Sequence, residues 1–570
     1  MEFLALGNRT LLLLLALFLF GSNSNASQSD RTNAFFQLQK YKEEATVTYE
    51  DTSTLSATLV NLNSNINTWY ILTLKDSGNR ATTHNILTAS DNLKLQLNPN
   101  APELLISGHS SNAYNCNINQ EISWIFQSRN KRRSTYIPIC NNLLFIIIKQ
   151  DGFRTMKERG AEVLRWLAGD TGEQVISEVK EHFFLDKYLI KGQTAELTAL
   201  SGTALNNSPL SRAAIQERYL NSTIPTSHLG LRTKSSEKRI LAGEWYPLKN
   251  YPDVYTSMIT PGMVSKDIQA SHKNRVNYLD SVERTATVFL MSFNLSKYTL
   301  GWGHGTDHPG VGWSRRARNI KKDNPYGPDG FDSINPLIPL GHVPPYHFAK
   351  TIGTFSAGFQ NRHGAFKYGK MSTYNKAHHY GFMENGVMMV SPSEGLATVI
   401  MHKDGRVVLK RWTAEDNKLL PGIRHIRQNG VPLIHRDENG QGIPGKLVNQ
   451  WSRGNWSGSA KKELRAPRGA ACLIETPQDN YLAYAFFSSA TPSAMARVFQ
   501  AYGCSFAIHL DLNSPGQAYG SLFTTKDNGS SIDIELLMST MHAYMGGNRA
   551  SPRYFVKPDY KDFFYIMKRK

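Results

Sequence analysis

Residues 491–513, TPSAMARVFQAYGCSFAIHLDLN, carry the reading of the fold. Ser493 to Tyr502 predicts a helix entered from Thr491-Pro492, because proline is tolerated in a first turn, and stopped at Gly503. The apolar run Phe506 to Leu510 then predicts a strand. A strand of period two would place His509, Asp511 and Asn513 on one side. Asp511 ends that strand just before a turn at Pro515-Gly516, where a general acid or base often sits. An aspartate there can equally bond the backbone amides of the turn.

Working outward, 241–570 reads as strands and Gly-rich turns with few helices. A second helix is predicted over Ile532 to Tyr544, ended by Gly546-Gly547. Upstream, 27–193 reads as a β-rich domain with attached helices. Thr58-Leu59-Val60, Trp69 to Leu72, Leu104 to Ile106 and Leu143 to Lys149 are strand-like, whereas 154–167 and 173–189 carry a helical period. The Ser/Thr/Asn-rich stretch 194–240 is the expected linker. The fold class expected is therefore α+β, in two parts, since 570 residues exceed one hydrophobic core.

Arg9, the apolar run Leu11 to Phe20 and Ser24-Asn25-Ala26 predict a cleaved signal peptide over 1–26. About ten apolar residues are too few to span a bilayer core. No later stretch is long enough, so the expected location is periplasmic or secreted, with no integral span after cleavage. The composition, 64 Lys+Arg against 46 Asp+Glu for a net charge of +18, calls for an anionic partner or is simply solvated surface. Export turns the expectation from nucleic acid to an anionic or phosphorylated glycan. Cys116 and Cys140 are expected to bridge, whereas for Cys472 and Cys504 a bridge and buried thiols are equally open.

Three polar stretches could hold chemistry: Gly301 to Ser314 with His304, Asp307 and His308; Gly358 to His379 with Gln360, Arg362, His363, Lys367 and His378-His379; and His509 to Asn513. The Gly-rich spacing of His304 and His308 favours loop hydrogen bonding over a metal. Trp302 and Trp313 could stack on sugar rings or belong to the core. Serine-hydrolase, nucleotide and metal motifs do not occur, so no cofactor or metal is expected.

The order of pieces in the second half resembles a known family. Val288 to Tyr298, Thr354 to Gln360, Tyr380 to Val387, Ala397 to Trp412, Arg468 to Ile474 and Met495 to Asn513 are similar, in that order, to segments of the phosphodiester glycosidase family. This is the group that includes the enzyme uncovering mannose-6-phosphate and many exported bacterial homologues. The likeness covers about residues 286–523. It departs where the family's Asn becomes Ser356 and where Asp511-Leu512-Asn513 stands in place of Asp-Gly-Gly.

The resemblance implies hydrolysis of a glycosidic or sugar-phosphodiester linkage. That reaction needs a carboxyl group to move a proton and cations to hold phosphate. Asp511 is the acid/base candidate, with His363 and His509 as secondary proton-transfer groups. Arg468 is the candidate phosphate clamp. Asn513, Gln360, Arg427 and Gly358 are candidates for binding substrate. The alternative is a non-catalytic envelope protein that binds anionic glycan in the same cleft.

Overall fold

A computed structural model describes residues 39–50, 55–108, 114–118, 120–121, 135–154, 159, 188–193, 195–196, 208–306, 338–358, 381–450, 465–512, 514–526, 531–541, 544–546, 549–555 and 557–569. The export segment lies outside them, and the two helices expected before residue 190 lie almost wholly outside.

Three antiparallel sheets form the larger part. The central sheet runs, strand beside strand, Tyr246–Pro247, Val254–Ile259, Val288–Asn294, Asn480–Ala490, Ala466–Glu475, Cys504–Leu512, Ile434–Arg436 and Gly442–Pro444. Its middle strands are buried along nearly their whole length. Both faces are covered, so these strands read as continuous apolar runs without alternation.

The expected helix is present as Pro492–Ala501. The Thr491 side chain accepts from the Ala494 amide, and Gly503, at φ +67°, takes the left-handed position that ends it. The helix joins two strands that flank Ala466–Glu475. Its Arg497 is buried and donates to the carbonyls of Ile268 and Asn277 at 2.6 and 3.2 Å.

A second sheet orders Tyr298–Gly303, Phe563–Lys568, Thr351–Ser356, Gly520–Lys526 and Ser531–Leu536. A third orders Val387–Val390, Phe382–Glu384, Ile423–Gln428, Ala397–His402 and Val407–Arg411. Asn385-Gly386, both at positive φ, close the first hairpin of the third sheet.

The α+β balance needs correction, because the structure is mostly β-sheet. The helix expected over Ile532 to Tyr544 is instead the strand Ser531–Leu536, paired residue for residue with residues 521–526. Ile532, Ile534 and Leu536 alternate with Asp533 and Glu535, a period of two that a helix cannot use. Arg232 anchors the polar side, donating to Asp533 and Glu535 at 2.6 and 2.7 Å.

The N-terminal β unit has a six-stranded sheet against a three-stranded one. Its alternating residues serve two cores. Tyr70, Leu72 and Leu74 pack inside the unit with the bridged Cys116 and Cys140, while Trp69 and Ile71 pack into the core shared with the larger part. Within 194–240, the range proposed as a linker, Leu210, Ala213, Ile224 and Leu231 join that shared core. Cys472 and Cys504 are bridged, tying neighbouring strands of the central sheet. Among the described residues, no helix is long and apolar enough to cross a membrane.

Candidate active site

The strand Cys504–Leu512 carries His509 and Asp511 to one end of the central sheet. Pairing with Ala466–Glu475 slips there, since Ala470 faces His509 but Arg468 faces Leu512. One extra residue on the His509 strand makes a β-bulge, so alternation does not carry through to Asp511. Bulges commonly re-aim a side chain beside a functional site. The two side chains accordingly find different partners.

His509 Nε2 lies 3.2 Å from Nη1 of Arg468, and both side chains are buried. Arg468 also donates from Nε to the Ala490 carbonyl at 2.7 Å. Burial pulls the Arg468 guanidinium down to about 10, opposed by Glu283. Burial first, and then the Arg468 charge, push His509 well below the usual imidazole range. The histidine is therefore a neutral ring.

Asp511 turns to the C-terminal segment 559–562. Its Oδ2 accepts from Lys561 Nζ at 2.9 Å and its Oδ1 from the Leu512 amide at 2.8 Å. The bond to the backbone foreseen for this aspartate thus coexists with an ion pair. Two further buried pairs use the same tetrapeptide. Arg553 grips Asp559 from Nε and Nη2 at 2.9 and 2.7 Å, and Arg427 lies 3.2 Å from Asp562. Burying three ion pairs is costly unless each charge is met, and here each is.

Gly358 closes the other side. At φ +119° it holds a conformation that side chains rarely adopt, and a Cβ there would stand 2.9 Å from the Leu510 carbonyl carbon and 3.0 Å from the Asp511 nitrogen. The neighbouring Ala357 amide donates to the Asp562 carbonyl at 3.0 Å. Tyr484 and Tyr554 lie near enough for the Asp511 charge to act on them. Burial is the main cause that raises both phenols well above their ordinary value. The Tyr554 hydroxyl meets Ser356 Oγ at 2.9 Å.

The structure brings together Asp511 and Gly358, and separately Arg468 and His509. Arg427 reaches the group through Asp562. His363, Gln360 and Asn513 lie outside the described residues, as do Asp307, His308, Trp313 and His378-His379. Trp302 is fully buried, with the Arg427 guanidinium 5.7 Å from its ring centre. His304 donates from Nδ1 to Glu384 at 2.5 Å. Among the described residues the grouping suited to a metal is Cys116, Glu121 and Cys140, whose sulfurs are bonded to each other.

Sequence reading missed Lys561, Asp559 and Asp562. Asp559-Tyr560-Lys561-Asp562 looks like an ordinary solvated charge run, and nothing local marks it as buried.

No protein-family profile and no curated protein matches the chain. Among solved structures, the chain is similar to the catalytic domain of zebrafish N-acetylglucosamine-1-phosphodiester alpha-N-acetylglucosaminidase, auto-inhibited by its pro-peptide. The identity is 12%, over 64% of this chain and 97% of that one, with a TM-score of 0.30. It is also similar to a Burkholderia pseudomallei protein named as a candidate exported protein, at 10% identity over 49% and 74% of the two chains, with a TM-score of 0.17.

Proposed function

We propose that the chain is an exported hydrolase acting on a glycosidic or sugar-phosphodiester linkage of an envelope or extracellular glycan, with Asp511 as its proton-transfer group. The observation that carries this reading is the Asp511–Lys561 pair at a bulged strand end, with Oδ2 and Nζ 2.9 Å apart. Both carboxylate oxygens already accept hydrogen bonds. The group therefore offers lone pairs, which suits a base activating water better than an acid. Lys561 stands where a cation can oppose the charge of a phosphoryl group. Arg468 is turned inward to Ala490 and His509, so Lys561 takes the clamp role in this proposal.

A second reading, a non-catalytic protein binding anionic glycan, draws on the loop after Asp511. There Leu512-Asn513-Ser514 lacks glycines that would let a ligand approach the backbone.

The test is turnover of a glycosyl-1-phosphodiester by the exported chain and by Asp511→Asn. Loss of a proton-transfer group should lower turnover by about 10²–10⁴-fold with binding retained. Equal inertness of the two proteins, with equal glycan binding, would favour the second reading.

A further inference from the structure

Four buried polar atoms on three elements find no hydrogen-bond partner among the described residues. They are Tyr346 Oη and His347 Nδ1 on the turn Pro345–Lys350, His425 Nε2 on Ile423–Gln428, and Tyr565 Oη on Phe563–Lys568. They share one region between the second and third sheets. The rings of Tyr346 and His347 are 4.4 Å apart, and those of His347 and Tyr565 are 5.8 Å apart. His347 is also near enough to His425 to act on its charge. His425 is 0% exposed and Tyr565 1% exposed. An orphaned buried polar group costs its full desolvation, and several in one place call for an occupant.

The surroundings say what kind. His425 Nδ1 accepts from the Asn385 backbone amide at 3.3 Å. An amide N–H can only donate, so the neutral ring carries its proton on Nε2, the atom left without a partner among the described residues. Burial, and then the Arg424 charge, hold that ring neutral. Burial also keeps both phenols protonated. Three groups therefore have a proton to donate.

The nearby Glu384 carboxylate is engaged by His304 Nδ1 at 2.5 Å. A metal on His425 Nε2 would need that lone pair and would force the ring proton onto Nδ1, against the Asn385 amide. A ligand presenting acceptor oxygens satisfies all three donors at once. The Arg424 charge bears on both His425 and Tyr565 and favours a negative ligand, while the opposing Glu384 charge, which bears on both phenols, is engaged by His304.

We infer that this cluster binds a small oxyanion, a phosphoryl or carboxylate group, through the hydroxyls of Tyr346 and Tyr565 and the Nε2–H of His425. The site shares no residue with the Asp511 group and stands whether or not that group hydrolyses a glycan.

The test uses the full chain with inorganic phosphate as probe, by calorimetric titration and by crystallography in phosphate excess. Saturable binding is expected, with phosphate oxygens seated on the three donors. Tyr346→Phe and Tyr565→Phe remove one oxygen each and should weaken binding by about tenfold or more, given that hydrogen bonds to charged groups are the stronger kind. Unchanged circular dichroism and melting temperature without phosphate show that these variants fold. Asp511→Asn should bind phosphate like the wild type.

Competition by a glycosyl-1-phosphate separates the two sources. If it displaces inorganic phosphate the ligand is a phosphoryl group of a larger molecule, and if it does not the ligand is the free ion. Ordered water alone at these groups, phosphate affinity unaltered in both Phe variants, or loss of phosphate binding in Asp511→Asn with its circular dichroism unchanged would each overturn the assignment.

Discussion

Lys561 Nζ lies 2.9 Å from Asp511 Oδ2, across 50 residues of chain. The Lys561 side chain is fully buried and that of Asp511 is 9% exposed. This contact closes the end of the central sheet with residues of the C-terminal segment. Through it the candidate site depends on two parts of the chain that local pattern would never join.

Removing one charge of that pair strands the other. Lys561→Met should destabilise the protein by about 3–5 kcal/mol, as breaking buried pairs does. The double variant Lys561→Met/Asp511→Asn should recover part of the loss. Urea unfolding of the wild type, both single variants and the double variant measures the coupling, and strictly additive losses would show that the pair does not form.

The N-terminal unit grips the same segment. The Phe153 amide donates to the Pro558 carbonyl at 2.8 Å, and a Cβ on Gly152 would stand 2.5 Å from the Tyr560 nitrogen and 2.6 Å from the Asp559 carbonyl carbon. Backbone cannot yield as a flexible side chain can. Gly152→Ala should cost about 1–3 kcal/mol by overpacking and displace the segment that holds Lys561. A melting curve measures the first effect, and turnover or glycan binding the second.

The Cys472–Cys504 bridge closes a loop with a sequence separation of 32 residues. Replacing both cysteines by serine should lower stability by about 3–4 kcal/mol on loop-closure grounds. Denaturant titration measures this, and reductant should shift the wild type toward the variant while leaving the variant unmoved.

His342 is buried, donates from Nδ1 to the Val343 carbonyl at 2.7 Å and bonds Thr135 of the N-terminal unit. Burial lowers it to about 4, opposed by the bond to Val343. The unfolded chain therefore takes up a proton that the folded chain refuses. Stability is fully present above about 6.5 and is lost as pH falls toward about 4, by about 3 kcal/mol for this residue. His347, His425 and His509 are shifted in the same direction. Urea midpoints followed from neutral pH down to about 4 should fall steeply, and His342→Phe should flatten part of that slope.

Local signals were legible wherever one element answers to its own residues. Thr491-Pro492 and Gly503 bound the helix Pro492–Ala501 as foreseen. The alternation in Ser531–Leu536 was also present but was read with the wrong period. At the site, the sequence pointed to Asp511 and Gly358, which do meet. It also pointed to Arg468 and His509, which meet each other at 3.2 Å.

What the sequence alone determined is the helix with its caps, the Cys116–Cys140 bridge and the strand that presents Asp511. These follow from periodicity, capping chemistry and spacing, which act over a few residues. Only the tertiary structure decided that one extra residue after His509 bulges the strand, and that Asp559, Lys561 and Asp562 are buried. It also decided that Cys472 meets Cys504, and that the N-terminal sheet is covered on both faces. Charge pairing, register and the second face of a sheet depend on what arrives from elsewhere in the chain, and a residue's neighbours in sequence carry no record of it.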